Sequence, residues 1–170
     1  RSRTAPEEPI ITQTLPGQAP VLIAEIPRSG NRWKQANFDK ENYERFFGAR
    51  VGTQRLMVFR NIKSDGTLAS YERSRPSVEV VSRNFRFELE AAAGLDYPSN
   101  GRPVGIFVRV ATRTFLYRLL LPDEPEYATV IAILQRSVGA TTRPRRARMT
   151  VDELRAAWPN APFWSLPATI

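Results

Sequence analysis

The chain has 170 residues, 42% of them apolar, which is enough for one domain with a core of its own. Lys and Arg outnumber Asp and Glu by 25 to 17, giving a net charge of +8, and only Lys34, Lys40 and Lys63 among those cations are not arginine. With neither Cys nor His, the sequence excludes disulfides, thiolate metal sites, Ser-His-Asp triads and histidine-based nuclease centres, and it holds no apolar run of membrane-spanning length and no signal-peptide pattern.

Residues 1–19 contain Pro6, Pro9, Pro16 and Gly17 without sustained periodicity, and are expected to be a leader or linker. Val21–Ile26 reads as a short strand stopped by Pro27. Arg28–Asn37 is a polar arm. A helix is expected at Lys40–Phe47, capped by Asp39 and ended by Gly48 in the left-handed conformation, with Phe38, Tyr43, Phe46 and Phe47 facing the core. Gln54–Asn61 and Thr67–Tyr71 form a hairpin around Ser64-Asp65-Gly66. Ser77–Val81 and Asn84–Leu89 are further strands, the second alternating Phe85, Phe87 and Leu89 with Arg86 and Glu88, and Ala91–Ala93 can extend a helix instead.

Gly94–Pro103 is a second polar loop. Val104–Val110 and Thr114–Leu121 make another strand pair, and a helix capped by Asp123 is expected over Glu124–Arg136 with Val130, Ile131, Ile133 and Leu134 buried. The acids Asp123, Glu124 and Glu126 suit that helix's N-terminus, and no metal is assigned to them. Gly139–Arg148 is a basic loop. Thr150 and Glu153 form a capping box for a short helix ending near Trp158, before a tail rich in proline and aromatic residues that packs on the surface. This inventory is mainly β: about seven strands in mostly antiparallel order with two or three short helices, closing best into a small open barrel and second best into a sandwich. Residues 20–137 are the expected barrel, and 138–170 a basic loop, short helix and tail on the same domain.

Three segments carry recognition chemistry. The first arm sets Arg28, Ser29, Asn31, Arg32, Trp33, Lys34, Gln35 and Asn37 within ten residues, with no acid between Glu25 and Asp39. Arginine matches the O6/N7 edge of guanine, and Asn or Gln the N6/N7 edge of adenine. The second loop offers Tyr97, Ser99, Asn100 and Arg102. The third holds Arg143, Arg145, Arg146 and Arg148, with no acid between Glu126 and Asp152. That density suits phosphate neutralisation rather than local pairing. Double-stranded DNA is the partner these residues point to. Two other readings stand beside it: an RNA-binding domain with Phe85 and Phe87 as a stacking platform, and a carboxylate-metal nuclease. The nuclease normally needs an acid two residues before a lysine, where this chain has Arg32, Phe38 and Asn61.

The stretch Leu22–Gly48, LIAEIPRSGNRWKQANFDKENYERFFG, resembles the C-terminal recognition domain of restriction endonucleases whose catalytic half is of the phospholipase D type. Beyond Gly48 the likeness lies in the order of strands and loops, to about residue 137. The resemblance implies a B-three-like pseudobarrel of seven strands and no cofactor. It implies two arms gripping the major groove, Arg28–Asn37 and about Gly94–Arg102. Cleavage would belong to a phospholipase D-type nuclease domain in the same or a partner chain, acting on DNA in a bacterial cytoplasm. The arginines at 143–148 and the tail have no counterpart in the resemblance.

Overall fold

A computed structural model describes residues 15–28, 35–50, 56–74, 77–79 and 84–161. Nine strands lie among them: β1 (Pro20–Glu25), β2 (Gln35–Phe38), β3 (Met57–Ile62), β4 (Leu68–Ser74), β5 (Ser77–Glu79), β6 (Asn84–Glu88), β7 (Val104–Ala111), β8 (Thr114–Leu120) and β9 (Arg146–Thr150). Two α-helices follow late in the chain, α1 (Tyr127–Val138) and α2 (Val151–Ala157). The strands form two open sheets, one of order β4-β3-β8-β7-β1-β9 and one of order β2-β6-β5. The fold is therefore mainly β with short helices, but the expected seven strands are nine. The order is mostly antiparallel, as expected, with β3 running parallel to β8 from Val58↔Thr114 to Asn61↔Tyr117.

Strand alternation divides the core into two layers on either side of the large sheet. Val21 and Ile23 of β1, with Val104, Ile106 and Val108 of β7, face α1 and α2, where Val130, Leu134, Val151, Leu154 and Trp158 cover them. Leu22, Ala24, Phe107, Phe115 and Tyr117 face the other way, toward the small sheet and the helical turn that follows β2. That second layer is aromatic. Phe47 alone has ring neighbours Phe38, Phe87, Phe107 and Phe115 at centroid distances of 4.8, 4.6, 5.2 and 5.1 Å. Such tilted and edge-on pairs are worth about 0.5–1.5 kcal/mol each beyond their burial.

Local signals in the sequence hold where the chain makes its own short-range contacts. The Ser64-Asp65-Gly66 turn joins β3 to β4, with Asp65 accepting bonds from the Thr67 amide and hydroxyl at 3.0 and 2.6 Å and Gly66 at φ 85°. The capping box at Thr150 and Glu153 is present. Asp39 accepts a bond from the Asn42 amide at 3.0 Å, and Gly48 has φ 74°. The helix expected over Lys40–Phe47 is shorter and wider, closing with a bond from the Phe47 amide to the Asn42 carbonyl at 3.0 Å.

Four expectations need correcting. Leu15 and Ala19, expected in a leader, are buried, and the Asp152 and Val151 amides at the start of α2 donate to the carbonyls of Gly17 and Ala19. Helix α1 begins at Tyr127 rather than Glu124, and Asp123 does not cap it. The Glu124 carboxylate instead accepts from the Leu121 amide and from Arg118, while Asp123 accepts from Asn100. Gln35–Asn37, expected in a loop arm, belong to β2, whose Ala36 and Phe38 are buried opposite Phe87 and Phe85. Arg146 and Arg148, expected in a loop, belong to β9, which adds an outer strand beside β1. Residues 1–14, the start of the expected Gln54–Asn61 strand, the end of Ser77–Val81 and the tail from 162 lie outside the described residues. No helix among the described residues is long and apolar enough to cross a membrane.

Candidate nucleic-acid interface

The root of the first arm at residues 26–28, the second loop and the residues before β9 come together at one end of the large sheet. Strand β1 ends there, β7 begins there and β9 begins there, because β1 is antiparallel to both, with Glu25 opposite Val104 and Ala24 opposite Arg146. At the meeting point sits Glu25, whose side chain is 4% exposed. It accepts from the Arg145 amide at 2.7 Å and from the Arg145 guanidinium at 3.2 and 3.0 Å, and Arg102 approaches at 3.5 Å. Burial alone would push the Glu25 carboxyl up. The Arg145 hydrogen bonds and the charges of Arg145 and Arg102 outweigh that and hold it below its ordinary value.

The neighbouring side chains lock the segments to each other. Tyr97 donates its hydroxyl proton to the Ile26 carbonyl at 2.8 Å, tying the second loop to the root of the first arm. The exposed Arg28 stands over the Tyr97 ring at 5.9 Å. Arg102 donates to the Thr142 carbonyl at 2.7 Å, and its own carbonyl accepts from Tyr127 at 2.6 Å. Gly101 permits this approach, since a Cβ there would stand 3.0 Å from the Tyr127 hydroxyl. Asn100 donates to Asp123 at 3.0 Å. Ser99 and Arg143 are exposed, and Arg143 makes its hydrogen bond through its backbone amide to Thr141.

The predicted site residues thus divide. Arg28, Ser99 and Arg143 point to solvent, while Tyr97, Asn100 and Arg102 are engaged within the protein. Ser29, Asn31, Arg32, Trp33 and Lys34 lie outside the described residues, as do the side chains of Gln35 and Asn37. The expectation that the arginines at 143–148 lack partners fails for three of the four. Arg145 binds Glu25, Arg146 pairs with Asp39 at 3.0 Å, and Arg148 approaches Glu41 at 3.8 Å. Proximity in sequence could not show this, because all three acids precede residue 42. Glu25 itself was missed. The available signal was an acid flanked by apolar Ala24 and Ile26 at the end of an apolar strand, where a solvent-facing charge is unusual.

Phe85 and Phe87 are not an exposed stacking platform. They are 7% and 1% exposed, and both rings lie against Tyr43, at 5.2 and 5.1 Å. Beside the second loop, at the same end of the sheet, an open cleft of about 290 Å³ is lined by residues including Asn61, Lys63, Leu95, Arg118 and Glu124. Its buried Arg118 donates to Glu124 and Glu126 at 2.8 and 2.9 Å and to the Ile62 carbonyl at 3.3 Å, a second ion cluster that the sequence did not disclose.

No family model matches the chain, and no curated protein matches it by sequence. Among solved structures, the chain is similar to the N-terminal domain of Helicobacter pylori LlaJI.R1, at 12% identity over 76% of this chain and 97% of that one, with a TM-score of 0.49.

Proposed function

We propose that this chain reads sequence in double-stranded DNA, as the target-recognition module of a restriction endonuclease, and that it cuts nothing itself. In this reading the two open sheets are a B-three-like pseudobarrel. Residues 28–37 and 94–102 are two arms that enter the major groove, and a phospholipase D-type domain in the same or a partner chain performs cleavage. The observation that carries the reading is convergence: the root of the first arm, the second loop and the residues before β9 come together at one end of one sheet, with Arg28 and Arg143 exposed there. One acid, Glu25, stands against two arginines at the centre of that end, leaving an excess of positive charge where a phosphate backbone would approach. Arg28 at the root of the first arm, Arg32, Gln35 and Asn37 are the proposed base readers, and Arg143 is the proposed phosphate contact.

The test is selection of bound oligonucleotides from a random duplex pool, followed by titration on the selected and a scrambled duplex. A preference of at least about a thousandfold is expected for a specific site. Equal affinity for both duplexes, or stronger binding to single-stranded RNA, overturns the reading. Site-specific cleavage by the pure chain with a divalent metal overturns the assignment of catalysis elsewhere.

A further inference from the structure

We propose that Arg145, Arg146 and Arg148 are positioning residues, which fasten both roots of the first arm to β9 and so set its discrimination between base sequences. The inference rests on the proposed recognition of DNA but assigns these arginines a role opposite to phosphate contact. Their partners bracket the arm: Glu25 stands three residues before it, and Asp39 and Glu41 stand two and four residues after it. No other acid lies between Glu25 and Asp39. One short segment, Arg145–Arg148, therefore holds one root with Arg145 and the other with Arg146 and Arg148.

Strand geometry explains how one element reaches both. Arg146 and Arg148 stand opposite Ala24 and Leu22, whose side chains belong to the aromatic layer, so the two arginines point toward the helical turn that follows β2. Ala147 lies between them and turns into the helix-side layer. Arg145, one residue before the strand, donates backbone and side chain to Glu25. Asp39 passes the constraint on. One of its oxygens stands 3.0 Å from the Arg146 Nε, an ion pair outside hydrogen-bond alignment, and accepts from the Asn42 side chain at 2.9 Å, and the other accepts from the Asn42 amide at 3.0 Å. Arg146 and Arg145 keep only 19% and 15% of their side-chain surface exposed, so these pairs are poorly screened by salt.

Two physical consequences follow. A segment held at both roots has fewer conformations to lose when it meets the groove, so its base contacts stay discriminating. A guanidinium already matched by a carboxylate displaces few counterions, so it adds little to the salt dependence of binding.

The experiment compares the whole chain with Arg146→Gln/Arg148→Gln and with the milder Arg148→Gln, whose pair is the most exposed and whose fold is therefore the safest. Amide hydrogen exchange, which needs no DNA, is followed together with titrations on selected and scrambled duplexes at several salt concentrations. The expected result is faster exchange at residues 35–41, with residues 26–28, whose Arg145–Glu25 contact is intact, and β7 and β8 unchanged. The selected-to-scrambled ratio should fall about tenfold or more in the double variant and severalfold in Arg148→Gln, while the salt slope stays the same. A double-mutant cycle with Asp39→Asn should show that Arg146→Gln adds little once the acid is neutral. Unchanged exchange at 35–41 overturns the fastening. Equal weakening on both duplexes, with the slope falling by about 0.9 per arginine, overturns the inference in favour of phosphate contact. A wild-type chain with no duplex preference overturns the recognition reading itself, and is told apart because the exchange data stand without DNA.

Discussion

Two buried ion clusters sit at the same end of the sheet with inverted stoichiometry. At Glu25 one carboxylate serves two arginines, Arg145 and Arg102, and at Arg118 one guanidinium serves two carboxylates, Glu124 and Glu126. The first leaves local positive charge among the proposed DNA-contacting segments, and the second leaves local negative charge beside the cleft. Both use burial of the central group, 4% exposed for the Glu25 side chain and 5% for that of Arg118, to make a few residues rigid. The net charge of +8 therefore says little about where a polyanion would lie. The sign of the surface at this end is decided by which member of each cluster is outnumbered.

The largest effect is expected from breaking the acid-rich cluster. Arg118→Met leaves Glu124 and Glu126 facing each other and strips the Ile62 carbonyl of a donor. Because both acids remain about a quarter exposed (24% and 29%), they can regain water. A loss of about 2–3 kcal/mol in urea unfolding is therefore expected, below the range for fully buried pairs. Duplex binding should be retained once the folded fraction is accounted for.

Next comes the arginine-rich cluster. Glu25→Gln keeps the shape but removes the charge that Arg145 and Arg102 face, and a loss of about 2 kcal/mol at neutral pH is expected. Its pH dependence follows from the lowered carboxyl. The folded state binds the Glu25 proton less readily than the unfolded chain does. The stabilisation is therefore complete above the ordinary carboxylate range and disappears as the pH falls through the lowered value. Wild type and Glu25→Gln should thus converge in stability in acid. A difference that persists unchanged into strong acid would show that the carboxylate's charge is not what holds the cluster.

Smaller effects should separate the solvent-facing arginines of the same rim. Arg28→Ala is expected to weaken binding to a selected duplex by about 1–3 kcal/mol and to a scrambled one much less. Arg143→Ala should weaken both alike, by well under that amount at physiological salt, and flatten the slope of log affinity against log salt by about 0.9. If Arg143→Ala instead lowers the selected-to-scrambled ratio, the proposed division between reading and neutralising is wrong.

What was legible in the sequence was what the chain decides locally. The turn at Asp65, the cap at Thr150, the alternation of Phe85, Phe87 and Leu89, and the pairing of β7 with β8 depend on residues a few positions apart. The partners of charged side chains were not legible, because they are chosen by topology. Glu25 and Arg145 are 120 residues apart, and only the placement of β9 beside β1 unites them. For the same reason four arginines in six residues read as a free cationic patch when three of them are matched. Residues 35–37 misled in another way. Their polar side chains suggested a loop, while Ala36 and Phe38 supplied the period-two burial of a short strand.

The position of β1 has a consequence for how the chain acquires its structure. The first strand forms no ladder with its sequence neighbours, pairing instead with residues 104–108 on one side and 146–150 on the other. Every backbone pairing along its length closes a loop of roughly eighty residues or more, which places the chain among slow-folding topologies. During synthesis the apolar Val21-Leu22-Ile23-Ala24 emerges before either of its partner strands and stays unpaired until they have followed. A truncation at residue 137 would leave one edge of that strand permanently open, and remove α2, whose Val151, Leu154 and Trp158 cover it. Of the described strands, β9 is made after all the others, and it is the one that closes the open edge of β1.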